Sequence, residues 1–114
     1  MKLTSREEGA VVVLEPRGKI IGGPDATVLR EQVRDLTNSG KKKIVIDLAG
    51  VDWMNSTGLG ILISCLTTLR NSGGELKLAR ITEKIESLLT ITKLVTVFDT
   101  YDSAEDAISA FSGD

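Results

Sequence analysis

Hydrophobic and polar positions divide the chain into short apolar runs separated by polar or glycine-bearing breaks. Ala10 to Pro16 is rich in β-branched residues and predicts a strand, with Pro16 at its end or at an edge. Before it, Met1 to Glu8 alternates only weakly, with Leu3 the inward candidate, and predicts an edge strand. After Arg17-Gly18, Lys19-Ile20-Ile21 predicts a short continuation or a third strand. Ala26, Leu29, Val33 and Leu36 then recur at helical spacing. Proline suits a first helical position and an acid the first turn, so this helix starts around Gly22-Gly23-Pro24-Asp25. Asn38-Ser39-Gly40 ends it, with glycine as the natural C-terminal cap.

The second half alternates. Lys43 to Leu48 is apolar on both faces and predicts a central, buried strand. Ile61 to Leu69 is too long for a strand and apolar nearly all round, which predicts a largely buried helix from about Ser56 to Asn71. Glu75 to Ala79 alternates as a strand. Thr82 to Thr90 predicts a short helix with Thr82 as N-cap, Thr96 to Tyr101 a last strand, and Asp102-Ser103 the start of a final helix carrying Ala104, Ala107, Ile108 and Phe111. Such alternation calls for right-handed crossovers between parallel strands, with the leading strands as an antiparallel edge. The expectation is one α/β domain over residues 1–114, a mixed sheet covered by helices.

One stretch stands apart. Asp52-Trp53-Met54-Asn55-Ser56-Thr57-Gly58-Leu59-Gly60 predicts a tight polar turn that runs from the central strand into the long helix. The first-turn N–H groups of a helix are free and its dipole is positive there, so the place welcomes an anion. Ser56 is therefore a candidate regulatory phosphorylation site, with Thr57 the alternative acceptor. Asn, Ser and Thr are also ordinary helix caps, which is the competing reading. Gly58 and Gly60 fall inside the first turns, where glycine costs about 0.5–1 kcal/mol against alanine. Glycine there serves either close helix–strand packing or the close approach of a ligand or partner. Trp53, the single tryptophan, fits either a core side chain under the turn or an exposed interface anchor.

Composition narrows the chemistry. A net charge of −2 argues against an electrostatic grip on nucleic acid or an anionic membrane. No apolar stretch reaches the roughly 18–20 residues that span a bilayer, and no secretory leader is evident. The lone Cys65 sits in an apolar run and reads as a core residue of a protein in a reducing cytoplasm. The sequence has no histidine, which removes imidazole acid–base chemistry, histidine triads and histidine metal sites, so no metal or cofactor is expected. The Ser56 segment lacks the lysine of a Walker loop, the three-glycine spacing of a dinucleotide fingerprint and the glycine pattern of a nucleophile elbow. Asp47 at a strand end is placed like a receiver phosphoacceptor, and a small phosphoryl-transfer enzyme or receiver using Asp47 or Asp52 is one alternative. No acidic pair follows Val11 to Leu14, as that chemistry requires.

Ile44-Val45-Ile46-Asp47-Leu48, Val51-Asp52 and Met54-Asn55-Ser56-Thr57-Gly58-Leu59-Gly60 together resemble the signature of the STAS family, whose soluble members are anti-sigma factor antagonists. Gly18-Lys19-Ile20, Gly73-Gly74-Glu75-Leu76, Val97-Phe98 and Ser103 to Ala107 match in kind and order. The resemblance implies a small mixed sheet with about four helices packed mainly on one side. It implies partner switching: the unmodified protein binds an anti-sigma factor that is also a GHKL-type serine kinase, phosphorylation at Ser56 releases it, and a phosphatase resets the switch. It places the partner interface at Gly22, Gly23, Asp25, Trp53, Met54, Asn55, Ser56, Thr57 and Gly58. Two positions differ from the family's common pattern: Asn55 and Ile21 stand where aspartates are frequent. The alternative within the family is a STAS subunit that is never phosphorylated and serves as a structural part of a larger assembly, such as a lipid-transport complex.

Overall fold

The computed structural model describes residues 1–112. In chain order the elements are β1 (Lys2–Glu8), β2 (Val11–Ile20), α1 (Pro24–Asn38), β3 (Lys43–Asp47), β4 (Val51–Met54), α2 (Ser56–Asn71), β5 (Glu75–Ala79), α3 (Glu83–Ile91), β6 (Asp99–Tyr101) and α4 (Ala104–Ser112). The sheet runs β1-β2-β3-β5-β6, with β4 attached to β2. β1 pairs antiparallel with β2, and every other pairing is parallel. The alternating β and α segments thus form the mixed sheet that their order predicts, with β3 in the middle and buried from Ile44 to Asp47.

Period-two alternation sorts the strand residues between two layers. Val12, Leu14, Ile44, Ile46, Leu76 and Leu78 join Leu29 and Val33 of α1, Leu62, Cys65 and Leu69 of α2, and Ile85 and Leu89 of α3. Val11, Val13, Val45 and Ala79 instead meet Ala104 and Ala107 of α4. Helices therefore lie mainly on one side, with α4 alone on the other. The apolar circumference of α2 follows: one side faces the sheet, and another packs on α1.

The structure departs from the sequence expectation at three places. First, Lys19-Ile20 is the continuation, one of its two readings, but there is no break at Arg17-Gly18: β2 runs through Pro16 and Gly18 to Ile20. Its partner β3 covers Val11 to Leu14 and its partner β4 covers Gly18 to Ile20, so Pro16 falls in the gap between them. A residue without an N–H fits that gap. Second, the stretch expected to be a polar turn contains strand β4, which fills the free half of the β2 edge. The actual turn is Leu48 to Gly50, closed by the Val51 N–H to the Leu48 carbonyl at 3.0 Å and by the Gly18 N–H to the Gly50 carbonyl at 2.9 Å. Third, the last strand is only Asp99–Tyr101; Val97 lies in a turn, and Phe98 is buried in the main core from outside the sheet.

Candidate functional site

β4 delivers the chain to the surface at the start of α2. Met54 is buried as an anchor, whereas Asp52 and Trp53 are exposed. Asn55 is the N-cap: its Oδ1 accepts the Gly58 N–H at 2.9 Å, and its carbonyl accepts the Leu59 N–H at 2.9 Å. The capping reading of this triplet is thus carried by Asn55. Ser56 and Thr57 occupy the first two helical positions, both exposed. Their N–H groups have no acceptor within the helix. Ser56 therefore presents a hydroxyl to solvent that the cap does not use.

The two helix glycines have different reasons. A Cβ on Gly58 would lie 1.9 Å from the Ile20 carbonyl oxygen and 3.0 Å from Met54 Cγ. Only glycine lets α2 come this close to the end of β2, so Gly58 is buried and structural. A Cβ on Gly60 would meet nothing within 4 Å. Among the described residues no neighbouring element explains Gly60.

The start of α1 sits against the same turn. Gly22 has φ +112°, and a Cβ there would lie 2.9 Å from Thr57 Cγ2. Gly23 caps α1 at φ 62°, exposed and without a side-chain bond. Asp25 lies in the first turn of α1, with its carboxylate 3.5 Å from the Met1 amino group. Ile21, where the resemblance leads one to expect an acid, is 45% exposed. Thus Gly22 meets the Ser56 turn directly, whereas Asp25 is engaged elsewhere.

On the other side, Trp53, Met54, Asn55 and Ser56 form one wall of a groove of about 380 Å³, and Lys84, Ser87, Leu88 and Ile91 of α3 form the other. Trp53 is 43% exposed and Ile91 78% exposed. The structure thus resolves the two readings of Trp53: it is a surface residue, with the Lys84 ammonium 3.8 Å from its ring centroid. Exposed Trp53 and Ile91 thus line one groove with Ser56, and exposed Ile21 precedes Gly22, which meets Thr57 on the other side. Nothing in the sequence announces this groove: Leu88 reads as an inward position, and Ile91 lies past the helix expected to end at Thr90.

Two other sequence candidates are accounted for. Asp47 is 2% exposed and grips Arg80 through both oxygens, with Nε to Oδ1 at 3.0 Å and Nη2 to Oδ2 at 2.5 Å. Its Oδ1 also accepts the Ala49 N–H at 3.1 Å. It ties the ends of β3 and β5 to the turn before β4 and offers no free carboxylate for phosphoryl transfer. Arg80 escaped the sequence reading; it follows β5 at φ 53°, a conformation that residue type does not advertise. Cys65 is buried, and burial pushes its thiol up to about 11 despite the opposing charge of Arg30. It is a core residue, as its apolar neighbours suggested.

An exposed hydroxyl beside exposed apolar side chains is the make-up of a binding surface. The fold and site define a small regulatory binding domain. The chain belongs to the STAS domain family, whose profile matches residues 2–107. It is 34% identical over 83 residues to the anti-sigma-B factor antagonist of Bacillus subtilis, covering 73% of this chain and 75% of that protein. The crystal structure of a Thermotoga maritima protein, provisionally named an anti-sigma factor antagonist, superposes with a TM-score of 0.88 at 27% identity over 97% of this chain and 95% of that one. The phosphorylated form of the Bacillus protein SpoIIAA shares the fold with a TM-score of 0.76 at 15% identity, over 96% of this chain and 99% of that one. Family members of this kind are regulatory binding proteins, not enzymes. Among the described residues no helix is long and apolar enough to cross a membrane.

Proposed function

We propose that this protein is an anti-sigma factor antagonist that works by partner switching in the cytoplasm. With Ser56 unmodified it binds an anti-sigma factor that is also a serine kinase of the GHKL type, and so frees a sigma factor for transcription. The observation that carries this reading is the placement of an exposed Ser56 between the exposed apolar side chains of the α1 and α3 sides. Such side chains are what a protein partner covers, with an aromatic anchor such as Trp53 near the centre. Gly60 supports it further: a bare helix surface that no described residue packs against leaves room for a partner's backbone.

Phosphorylation breaks the complex. The γ-phosphorus of ATP forms a bond to Ser56 Oγ as its bond to the bridging oxygen of ADP breaks. ADP leaves, and the hydroxyl proton passes to a base of the kinase. The product carries about −1.5 to −2 charges at neutral pH. On the free domain this charge sits at the surface beside free N–H groups, so the fold tolerates it. In the complex it would have to be buried against apolar surface. A loss of about 3 kcal/mol of binding weakens an association more than a hundredfold. A phosphatase then restores the binding form.

The test is incubation with the cognate kinase and ATP, followed by phosphopeptide mapping. The wild type should carry phosphate at Ser56, and Ser56→Ala should fold, bind the partner and remain unlabelled. Phosphate on another residue, with Ser56 untouched, would overturn the assignment.

A further inference from the structure

Lys84 touches Trp53 and shares a groove with Ser56. Its ammonium lies 3.8 Å from the Trp53 ring centroid, and its side chain lines the groove that Ser56 also lines. Of the residues around that groove, Trp53, Met54, Asn55, Ser56, Ser87, Leu88 and Ile91 are all uncharged, so Lys84 supplies its one charge. Glu83 and Glu86 flank Lys84 on α3 and are exposed, and Lys84 has no ion pair among the described residues. Its present partner is the face of an aromatic ring at the surface, which holds a cation weakly. A phosphate dianion is a stronger partner for the same ammonium, because it carries full charge and accepts charge-assisted hydrogen bonds.

We propose that Lys84 is the built-in counter-ion for a phosphate on Ser56, and that it leaves the Trp53 ring to reach it. The inference rests on Ser56 as the phosphoacceptor. Its consequence is a change in the groove itself. Lysine carries its charge on a flexible four-carbon stem. With the head drawn to Ser56, the stem lies across the apolar walls formed by Met54 and Leu88, and Trp53 loses the cation over its face. The phosphorylated protein then differs from the free form in both charge and shape at the surface a partner would cover. Lys84 is a positioning residue here: it acts through the phosphate and takes no part in the transfer.

The experiment uses full-length protein with phosphoserine installed at position 56 during translation, so that no kinase is needed. Trp53 is the single tryptophan, and its emission reports the loss of the overlying ammonium. Wild-type emission should change when position 56 carries phosphoserine. The change should be absent in Lys84→Gln and kept in Lys84→Arg. Phosphorus NMR gives a second readout: the second ionisation of the phosphoserine should occur about half a pH unit lower in the wild type than in Lys84→Gln, the shift expected of an exposed ion pair. Equal ionisation in the two proteins, or an emission change that persists in Lys84→Gln, would overturn the proposal. A kinase that ignores Ser56 while the installed phosphoserine still engages Lys84 would instead count against the phosphoacceptor reading alone.

Discussion

Two glycines two positions apart in α2 should respond to alanine with opposite signs. At Gly58 the new methyl would lie 1.9 Å from the Ile20 oxygen, 2.8 Å from the Ile20 carbonyl carbon and 3.0 Å from Met54 Cγ. Non-bonded carbon atoms settle at about 3.5–4.0 Å, so the start of α2 must retreat from β2 by more than about 1 Å. Overpacking of this kind costs about 1–3 kcal/mol, and a backbone obstacle belongs at the upper end. Alanine recovers about 0.5–1 kcal/mol of helix propensity, which leaves Gly58→Ala destabilised by about 2 kcal/mol. At Gly60 the methyl meets nothing within 4 Å. Only the propensity gain remains, so Gly60→Ala should be more stable by about 0.5–1 kcal/mol. Urea unfolding followed by circular dichroism measures both. In a melt, about 4 °C per kcal/mol places Gly58→Ala about 8 °C below the wild type and Gly60→Ala about 2–4 °C above it. On the proposed partner surface, the stabilised Gly60→Ala should bind the anti-sigma factor less tightly, because its methyl stands where the partner approaches. Shifts of the same sign for the two variants would refute the packing argument. Unchanged partner affinity for Gly60→Ala would remove Gly60 from the surface.

Asn55→Ala should lower stability by about 1 kcal/mol through loss of the bond to the Gly58 N–H, and Asn55→Asp should retain it; a thermal melt of both variants checks the cap. Arg80→Ala should cost about 3 kcal/mol, because it strands the buried Asp47 carboxylate, whereas Asp47→Asn should cost only about 1–2 kcal/mol, because Arg80 is half exposed and water replaces its partner. Denaturant titration giving the reverse order would contradict this account of the pair. The Cys65 thiol, raised from 9.0 to about 11 by burial, favours the folded state only while protonated. The native state holds this proton to higher pH than the unfolded chain, so its contribution is complete below about 9 and is lost by about 11, amounting to about 2–3 kcal/mol. Cys65→Ala should be less stable near neutral pH but show a correspondingly shallower decline over that range, read from unfolding curves at each pH.

Apart from β4, the order of elements, the two faces of the strands and the start of α2 were legible in the chain. These depend on local periodicity and on capping chemistry, which are written in neighbouring residues. Ile44 to Leu48 could be read as central because it is apolar at every position, and α2 as buried because it is apolar nearly all round. Asn55-Ser56-Thr57 could be read as a helix start because those side chains accept free N–H groups. The STAS resemblance rested on these same residues, and the family match bears it out.

Tertiary structure alone decided what pairing and proximity decide. Val51 to Met54 is too short and too polar at its centre to declare itself a strand; it is one because β3 leaves half of the β2 edge unpaired. Pro16 is tolerated within β2 for the same reason. Gly58 and Gly60 look alike in the sequence and are separated only by where Ile20 runs. Asp47 and Arg80 stand far apart along the chain and meet because β3 and β5 are parallel neighbours. The groove beside Ser56 arises because α3 packs near β4 and brings Lys84, Leu88 and Ile91 opposite Trp53. Local chemistry placed Ser56 at a helix start, and the fold set it in one groove with Trp53, Leu88, Ile91 and Lys84.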